Sequence, residues 1–199
     1  MRLSLNLSLA ILAAVPTAQA TILYTNLGPG DTYSTLKYGI DGTGYMAHPF
    51  QVNQQAVLTS IRVVVGHEGR GSTAPVVLYS GTPTSFNTMM EVYTFTPATT
   101  TTGVIETLVS STNPILNVGT TYWLSIGEAG DPDGDSLLWW MNNQGVHALY
   151  INSAGTGTDS WTAAMEVTGR LTDVPEPAAG AAALCGLLLL GAYKRRRHA

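Results

Sequence analysis

A short acidic segment contains the side chains best suited to hold a cation. Its four carboxylates are Glu128, Asp131, Asp133 and Asp135. Carboxylate oxygens at alternate positions are the hard ligands that Ca²⁺ prefers, so the segment predicts a calcium site. The alternative is a solvated acidic turn, because Asp, Gly and Pro are ordinary turn residues. Pro132 also interrupts the spacing of an EF-hand loop. No cofactor other than Ca²⁺ is predicted.

Two neighbouring indoles follow, at Trp139 and Trp140, and then two amides, at Asn142 and Asn143. Successive side chains of a strand point to opposite faces, so one indole is expected in the core and the other near the surface. An exposed indole can stack on the apolar face of a sugar while amides bond its hydroxyls, which predicts a carbohydrate-binding site. The alternative is that both indoles are packed, one in the core and one beneath a loop, because Trp is highly buried on average.

Catalytic constellations are missing from the rest of the sequence. The histidines at positions 48, 67 and 147 form neither an H-x-H nor an H-E-x-x-H pair, and no G-x-S-x-G elbow occurs. Glu91, Glu106 and Glu166 lie in strand-like runs and could supply the carboxylate pair of a glycoside hydrolase or lyase. Each is equally explained as the solvated residue of an alternating strand. We therefore predict a protein that is not an enzyme, with the hydrolase or lyase as a less favoured alternative.

The elements that would position these residues are strands. Apolar and polar residues alternate over 57–65 and again over 165–171, which indicates strands with one buried face. Further strand-like runs cover 75–80, 89–96, 103–110, 120–126, 136–141 and 146–151. Turn residues separate them at 69–72, 80–83, 113–114, 117–119 and the glycines at 155 and 157. This pattern predicts an all-β fold, a two-sheet antiparallel sandwich of jelly-roll type over residues 21–173.

The charge of this central segment excludes one class of partner. Residues 21–173 carry four lysines and arginines against twelve aspartates and glutamates, a net charge of −8. A nucleic-acid binder needs a basic face to displace counterions from phosphates, so no nucleic-acid partner is predicted.

The two ends of the chain read as targeting segments. Residues 1–20 have a basic start at Arg2, an apolar stretch and the small residues Ala18 and Ala20 at a cleavage site, which predicts a cleaved signal peptide. Residues 178–193 are uncharged and predict a transmembrane helix, and the basic residues 194–197 would stay on the cytoplasmic side. The only cysteine, Cys185, lies in that helix, so the exported body has no disulfide. A permanent single-span anchor is the simplest interpretation of the tail.

The residues around this helix carry a more specific signal. Pro175, Glu176 and Pro177 precede the apolar helix, and Arg195, Arg196 and Arg197 follow it. This order resembles the PEP-CTERM sorting signal of Gram-negative bacteria, here over residues 174–199. The resemblance implies that an exosortase recognises the Pro-Glu-Pro motif and removes the tail. It also implies a bacterium that makes exopolysaccharide. The two prolines are compatible with this, because they prevent a continuous helix and leave an extended peptide.

The central segment has a second resemblance, carried by residues 26–30, 57–65, 76–79 and 119–124 followed by Trp139 and Trp140. It looks like the choice-of-anchor group of bacterial exoprotein domains, which has no assigned reaction. The sequence therefore predicts an exported protein that is anchored transiently in the inner membrane and then placed at the cell surface or outside the cell. Its expected partners are an exosortase and extracellular polysaccharide of a biofilm matrix. A carbohydrate-binding module, with or without Ca²⁺, is the alternative.

Overall fold

The computed structural model describes residues 20–41, 44–68, 73–127 and 136–172. Within these ranges the chain forms strands and no helix. The strands are β1 (Thr21–Thr25), β2 (Lys37–Asp41), β3 (Tyr45–Gln51), β4 (Ala56–His67), β5 (Ala74–Thr82), β6 (Ser85–Phe95), β7 (Val104–Val109), β8 (Ile115–Leu116), β9 (Thr121–Gly127), β10 (Ser136–Trp140), β11 (His147–Asn152), β12 (Gly155–Trp161) and β13 (Met165–Leu171). Residues 20–173 make one compact unit.

The strands of the described residues form two sheets. One has seven strands, in the order β1-β13-β4-β10-β2, with β7 and β8 paired to the free side of β4. The other has six, in the order β12-β11-β3-β9-β5-β6. All of these strand pairs are antiparallel. The prediction of an all-β fold with two antiparallel sheets is confirmed, whereas the signal peptide and the C-terminal helix lie outside the described residues.

Strand β4 organises the seven-stranded sheet because it is long enough to pair along both edges. On one edge it meets β13 and then β10, and on the other it meets β8 and then β7. The alternation predicted from the sequence sets its faces: Ile61, Val63 and Val65 point toward the other sheet and are fully buried. A one-residue slip of register would turn these side chains to the opposite face, so burial fixes the pairing.

The core fills the space between the two sheets. Both sheets contribute to one buried cluster, the seven-stranded sheet through residues such as Leu58 and Trp139 and the six-stranded sheet through Leu78 and Leu124. Burying a large apolar side chain contributes roughly 1.5–3 kcal/mol. A cluster of this size gives a domain without disulfides its stability. Among the described residues, no helix has the length and apolar character that crossing a bilayer requires.

The strand predictions need two corrections. The turn expected at 80–83 is shifted, because β5 continues to Thr82 and the turn itself falls at Pro83 and Thr84. The glycines at 155 and 157 do not form a turn between strands but lie in β12. Gly157 is required there by close packing, since a Cβ atom would lie 2.3 Å from the Tyr150 ring. Five strands were not predicted: β1, β2, β3, β8 and β12.

Candidate ligand-binding surface

The two indoles of β10 face opposite ways, as predicted, and both are buried. Trp139 is 0% exposed and lies between the sheets, where its ring meets the edge of the His48 ring with centroids 5.2 Å apart. Trp140 is 3% exposed and packs on the outer face of the seven-stranded sheet, covered by Tyr33. The Tyr33 hydroxyl donates to the carbonyl of Gly103 at 2.6 Å and holds this cover in place. The expectation of an exposed indole is therefore wrong, and the alternative of two packed indoles is confirmed.

The two amides after β10 are bonded to the protein itself. The Asn142 side chain is fully buried and donates to the carbonyls of Val146 and Thr162, at 2.8 and 2.7 Å. Its oxygen accepts from the backbone of Gln144 and Val146, at 3.0 Å each. Asn143 is exposed, and its amide bonds Thr32 and Gln144. These amides shape a loop, so the predicted sugar site of Trp139, Trp140, Asn142 and Asn143 is not assembled here.

The other predicted site residues fall largely outside the described part of the chain. This holds for the calcium ligands Glu128, Asp131, Asp133 and Asp135, for Ala18, and for the whole sorting motif with Arg195–Arg197. Ala20 is described and exposed, directly before β1. Among the described residues, no group of three or more His, Cys, Asp or Glu side chains is placed to hold a metal ion.

Glu91 is a buried carboxylate that joins the two sheets. It lies on β6 of the six-stranded sheet, is 4% exposed, and faces the segment after β7 of the other sheet. Five hydrogen bonds reach its oxygens, from the hydroxyls of Tyr93, Ser110 and Ser111 and the backbone of Ser111 and Thr112, at 2.6–3.1 Å. Burial raises the pKa of Glu91, but these donors outweigh it and lower the pKa to about 2. We call this group the Glu91 clasp.

His48 is buried without comparable partners. It lies on β3 between the sheets, is fully buried, and neither ring nitrogen has a hydrogen-bond partner in the described structure. Its neighbours are the rings of Tyr38, Trp139 and Tyr150, with centroids 5.2–6.2 Å away. Burial disfavours the charged imidazolium and lowers the pKa of His48 to about 3. The imidazole is therefore a neutral core side chain at pH 7.

The outer face of the seven-stranded sheet carries paired charges. Arg62 bonds both oxygens of Asp31, at 3.1 and 2.5 Å, and also reaches Glu166 at 3.0 Å. Lys37 bonds Glu68 at 2.8 Å and lies 5.4 Å from the centre of the Trp140 ring. These are two of the three lysine and arginine side chains in the described residues, and the third, Arg170, is exposed on β13 of the same sheet.

The outer face of the six-stranded sheet is different, because aromatic side chains collect there. Trp123 lies at its centre, fully buried beneath the tip of the β5–β6 hairpin, and its indole N–H donates to the Thr82 carbonyl at 2.8 Å. Phe86, on the same hairpin, packs against Trp123 and Tyr79, with ring centroids 6.3 and 4.7 Å apart. Tyr45 meets the edge of Phe86 at 6.2 Å.

The hairpin tip separates two grooves on this face. The aromatic groove, of about 230 Å³, is lined by Tyr45, Pro75, Val77, Tyr79, Phe86, Ser125 and Gly127. The proline groove, of about 320 Å³, is lined by Pro49, Phe50, Gln51, Pro83, Thr121, Ala148 and Leu149. In the proline groove the Gln51 amide already bonds the Thr121 hydroxyl at 3.0 Å, and the Phe50 ring is buried. Only the aromatic groove therefore presents several half-buried rings.

The sequence did not single out the residues of the aromatic groove. The sequence predicted a strand-like run over 75–80, in which Val77 and Tyr79 share one face because they are two positions apart. No other signal pointed to the groove. Phe86 follows the hairpin turn, and Tyr45 lies in the unpredicted strand β3, so no pattern linked them to Tyr79. They meet because β3, β9, β5 and β6 are neighbours in the sheet.

The chain was compared with family models, with curated proteins and with solved structures, and it matches none of them.

Proposed function

We propose that the chain is an exported, non-catalytic protein of the bacterial cell surface or extracellular matrix, sorted through its C-terminal tail by an exosortase. The observation that carries the proposal is the order of three sequence features: Pro175-Glu176-Pro177, the apolar residues 178–193 and the basic residues 194–197. Each feature is common alone, but together and in this order they resemble the PEP-CTERM signal. The signal peptide over residues 1–20 fits the same route.

The proposal gives the precursor a helix at each end and a jelly-roll-like arrangement of the two sheets between them. The precursor would be held transiently in the inner membrane by the helix over 178–193. After cleavage near the Pro-Glu-Pro motif, the body would be attached to the cell surface or released, in association with exopolysaccharide of a biofilm. Loss of both ends removes five of the nine basic residues. The mature body is thus strongly acidic, which favours its solubility outside the cell.

The surroundings of the strand glutamates support a role without catalysis. A glycoside hydrolase needs two carboxyl groups flanking the scissile bond, one to donate a proton and one to act as base or nucleophile. The oxygens of Glu91 are occupied by the five donors of the clasp, and Glu166 is paired with Arg62. Among the described strand glutamates, Glu106 therefore has no second carboxylate that is free of such bonds and could complete a catalytic pair.

The sorting step is tested by mass spectrometry of the protein recovered from the culture medium and from the cell surface of a host with an exosortase. We expect a mature form that lacks Arg195–Arg197. Replacing Pro175, Glu176 and Pro177 by alanine should leave the full tail in place and keep the protein in the inner membrane. The matched control is Arg170→Ala, which removes an exposed charge upstream of the motif. A mature form that keeps the arginines would defeat the proposal and leave a permanent membrane anchor.

A further inference from the structure

The aromatic groove on the outer face of the six-stranded sheet has the composition of a sugar-binding site. Tyr45, Tyr79 and Phe86 line it, and all three rings are half-buried and so keep part of their surface open. Ligand sites combine a mostly apolar and aromatic lining with a few polar groups that fix orientation. The polar groups here are hydroxyls, from Tyr45, Tyr79 and the inner wall at Ser125.

These hydroxyls are available to a ligand. Within the described structure, the hydroxyls of Tyr45, Tyr79 and Ser125 have no hydrogen-bond partner, in contrast to those of Tyr33, Tyr38 and Tyr93 elsewhere in the body. A tyrosine hydroxyl can both donate and accept a hydrogen bond. An apolar ring surface with free hydroxyls at its rim matches a pyranose, which has apolar C–H faces and an equatorial belt of hydroxyls.

The absence of charge in the lining of the groove favours a neutral ligand over an acidic one. None of the seven lining residues is charged at pH 7, and the central segment carries a net charge of −8. The described lysine and arginine side chains, which could attract an acidic sugar, all lie in the other sheet: Lys37 and Arg62 are engaged in ion pairs, and Arg170 is exposed on β13. An acidic polysaccharide would meet repulsion without a local cation, whereas a neutral sugar would meet none.

The rings are held before any ligand arrives. Phe86 is braced by Trp123 and Tyr79, and the bond from the Trp123 indole to Thr82 ties the hairpin tip to the sheet. Gly81 permits this tight hairpin, because a Cβ atom at this position would lie 2.1 Å from the Ser85 carbonyl oxygen. A site ordered in advance loses less conformational freedom on binding.

The dimensions of the groove indicate a short contact on a long ligand. Its volume of about 230 Å³ is below the roughly 300–1,000 Å³ of sites for drug-sized ligands. The apolar surface continues toward the sheet edge, because Val77 pairs with Val92 and Tyr79 pairs with Met89. Val92 and Met89 are 50% and 60% exposed. A polymer could thus place one ring in the groove and run on over the edge strand.

We propose that the aromatic groove binds one neutral pyranose unit of an extracellular polysaccharide, which contacts the open surfaces of the half-buried rings of Tyr45, Tyr79 and Phe86. This inference rests on the proposed function for its choice of a polysaccharide ligand. It names a site that differs from the tryptophan pair of β10.

Binding is measured by affinity electrophoresis and by titration calorimetry with the exported protein. The probes are the host's own exopolysaccharide, four neutral polymers (dextran, mannan, galactan and xylan) and one acidic polymer (alginate). We expect at least one neutral polymer to bind and alginate not to bind. Tyr79→Ala and Phe86→Ala should each weaken binding at least about tenfold, which corresponds to about 1.4 kcal/mol. Tyr79→Phe keeps the ring and should weaken binding less, about threefold, by removal of one hydroxyl.

The matched control is Leu149→Ala, which alters the proline groove on the same face and should leave binding unchanged. The inference is overturned if no neutral polymer binds, or if Tyr79→Ala and Tyr79→Phe both bind as wild type does. It is also overturned if Tyr79→Ala abolishes a dimer instead, because the groove would then be covered by a second copy. Binding and tail removal are separate readouts: a processed protein that binds no sugar defeats only this inference, and a binding protein with an intact tail defeats only the proposed sorting.

Discussion

Glu91 and His48 are both inward-facing, buried ionisable side chains on strands of the six-stranded sheet, but their surroundings are opposite. Glu91 lies on the edge strand β6, where the segment after β7 supplies five hydrogen bonds. His48 lies on the inner strand β3, where its neighbours are aromatic rings and its nitrogens have no partner among the described residues. The sandwich tolerates a buried charge at its edge, where a loop supplies hydrogen-bond donors. On an inner strand, where the neighbours are aromatic rings, a buried titratable group must stay neutral.

The comparison separates two consequences of burial. At Glu91 the donors stabilise the charged form, so removal of the carboxylate would leave several buried donors without an acceptor. At His48 only the neutral form is tolerated, so removal of the imidazole would leave little unsatisfied. Burial should therefore make Glu91 essential to the stability of the fold at neutral pH, whereas burial of His48 should destabilise the fold in acid.

The largest effect is expected for Glu91→Ala. Each buried donor left without a partner costs about 1–3 kcal/mol, so loss of the clasp should lower the free energy of unfolding by about 3 kcal/mol or more. Urea denaturation at pH 7 measures this. The control is Glu106→Ala on β7, a half-buried glutamate without such bonds in the described structure, which should change stability by less than about 0.5 kcal/mol. If the two variants are equally stable, the clasp does not join the sheets energetically.

The second prediction concerns acid. The folded pKa of His48, about 3, lies below its ordinary value of about 6.5, so the unfolded chain takes up the proton first as the pH falls. Stability is thus intact above about pH 6.5 and is lost toward pH 3, by up to about 1.4 kcal/mol per pH unit from this group. His48→Phe fills the same space and should remove this slope between pH 6.5 and 4.5. The measurement is urea denaturation as a function of pH.

The dependence of stability on pH in His48→Phe should also reveal the contribution of Glu91. The folded pKa of Glu91, about 2, is below its ordinary value of about 4.3. The contribution of Glu91 to the free energy of unfolding is therefore fully present at pH 7 and is lost as the pH falls from about 4.3 toward 2. His48→Phe should still lose this stability at low pH, because Glu91 is unchanged in the variant. His147→Phe, which removes an exposed imidazole on β11, is the control and should follow the wild-type profile. A wild-type slope in His48→Phe would contradict the assignment of acid sensitivity to the buried imidazole.

Ser110→Ala should have an intermediate effect. The Ser110 hydroxyl donates to Glu91 at 2.7 Å and accepts the Asn113 backbone N–H at 3.0 Å, so it links the clasp to the turn that follows. Its loss should lower the free energy of unfolding by about 1–2 kcal/mol. Ser111→Ala is the matched control: the Ser111 backbone N–H would still bond Glu91, so less than about 1 kcal/mol is expected. Equal losses would indicate that the turn, and not the carboxylate, determines the cost.

Strand periodicity predicted much of the fold, but it predicted neither the burial of Trp140 nor the Glu91 clasp and the aromatic groove. The alternation over 57–65 correctly set the inner face of β4, because one buried side of a sheet imposes a period of two. It also explains why Trp139 and Trp140 point to opposite faces. Alternation does not say what covers the outer face, and Tyr33 buries Trp140 there from a distant loop. The predicted sugar site failed for this reason.

The clasp and the aromatic groove were beyond sequence reasoning for a related cause. The sequence analysis interpreted Glu91 as the solvated residue of an alternating strand, but Glu91 lies on the same inward face of β6 as Tyr93. Alternation alone does not show that the segment after β7 covers this face and supplies donors to the carboxylate. Tyr45 and Phe86 are far apart in sequence and become neighbours only through the sheet order. Local patterns determine which side a residue faces, whereas sites depend on which strands lie next to each other.

The smallest effect is expected for Tyr93→Phe, which removes one donor of the clasp and keeps the buried ring. Four donors remain on the Glu91 carboxylate, so the free energy of unfolding should fall by only about 1 kcal/mol at pH 7. Burial first and then the neighbouring carboxylate raise the pKa of Tyr93, so its hydroxyl stays a donor throughout this range. With one donor fewer, the pKa of Glu91 should rise above about 2, and the late acid loss should end at a higher pH. Tyr45→Phe removes a hydroxyl without a partner in the described structure and should change neither quantity. If Tyr93→Phe leaves the acid profile unchanged, the other four bonds alone hold the carboxylate in its charged form.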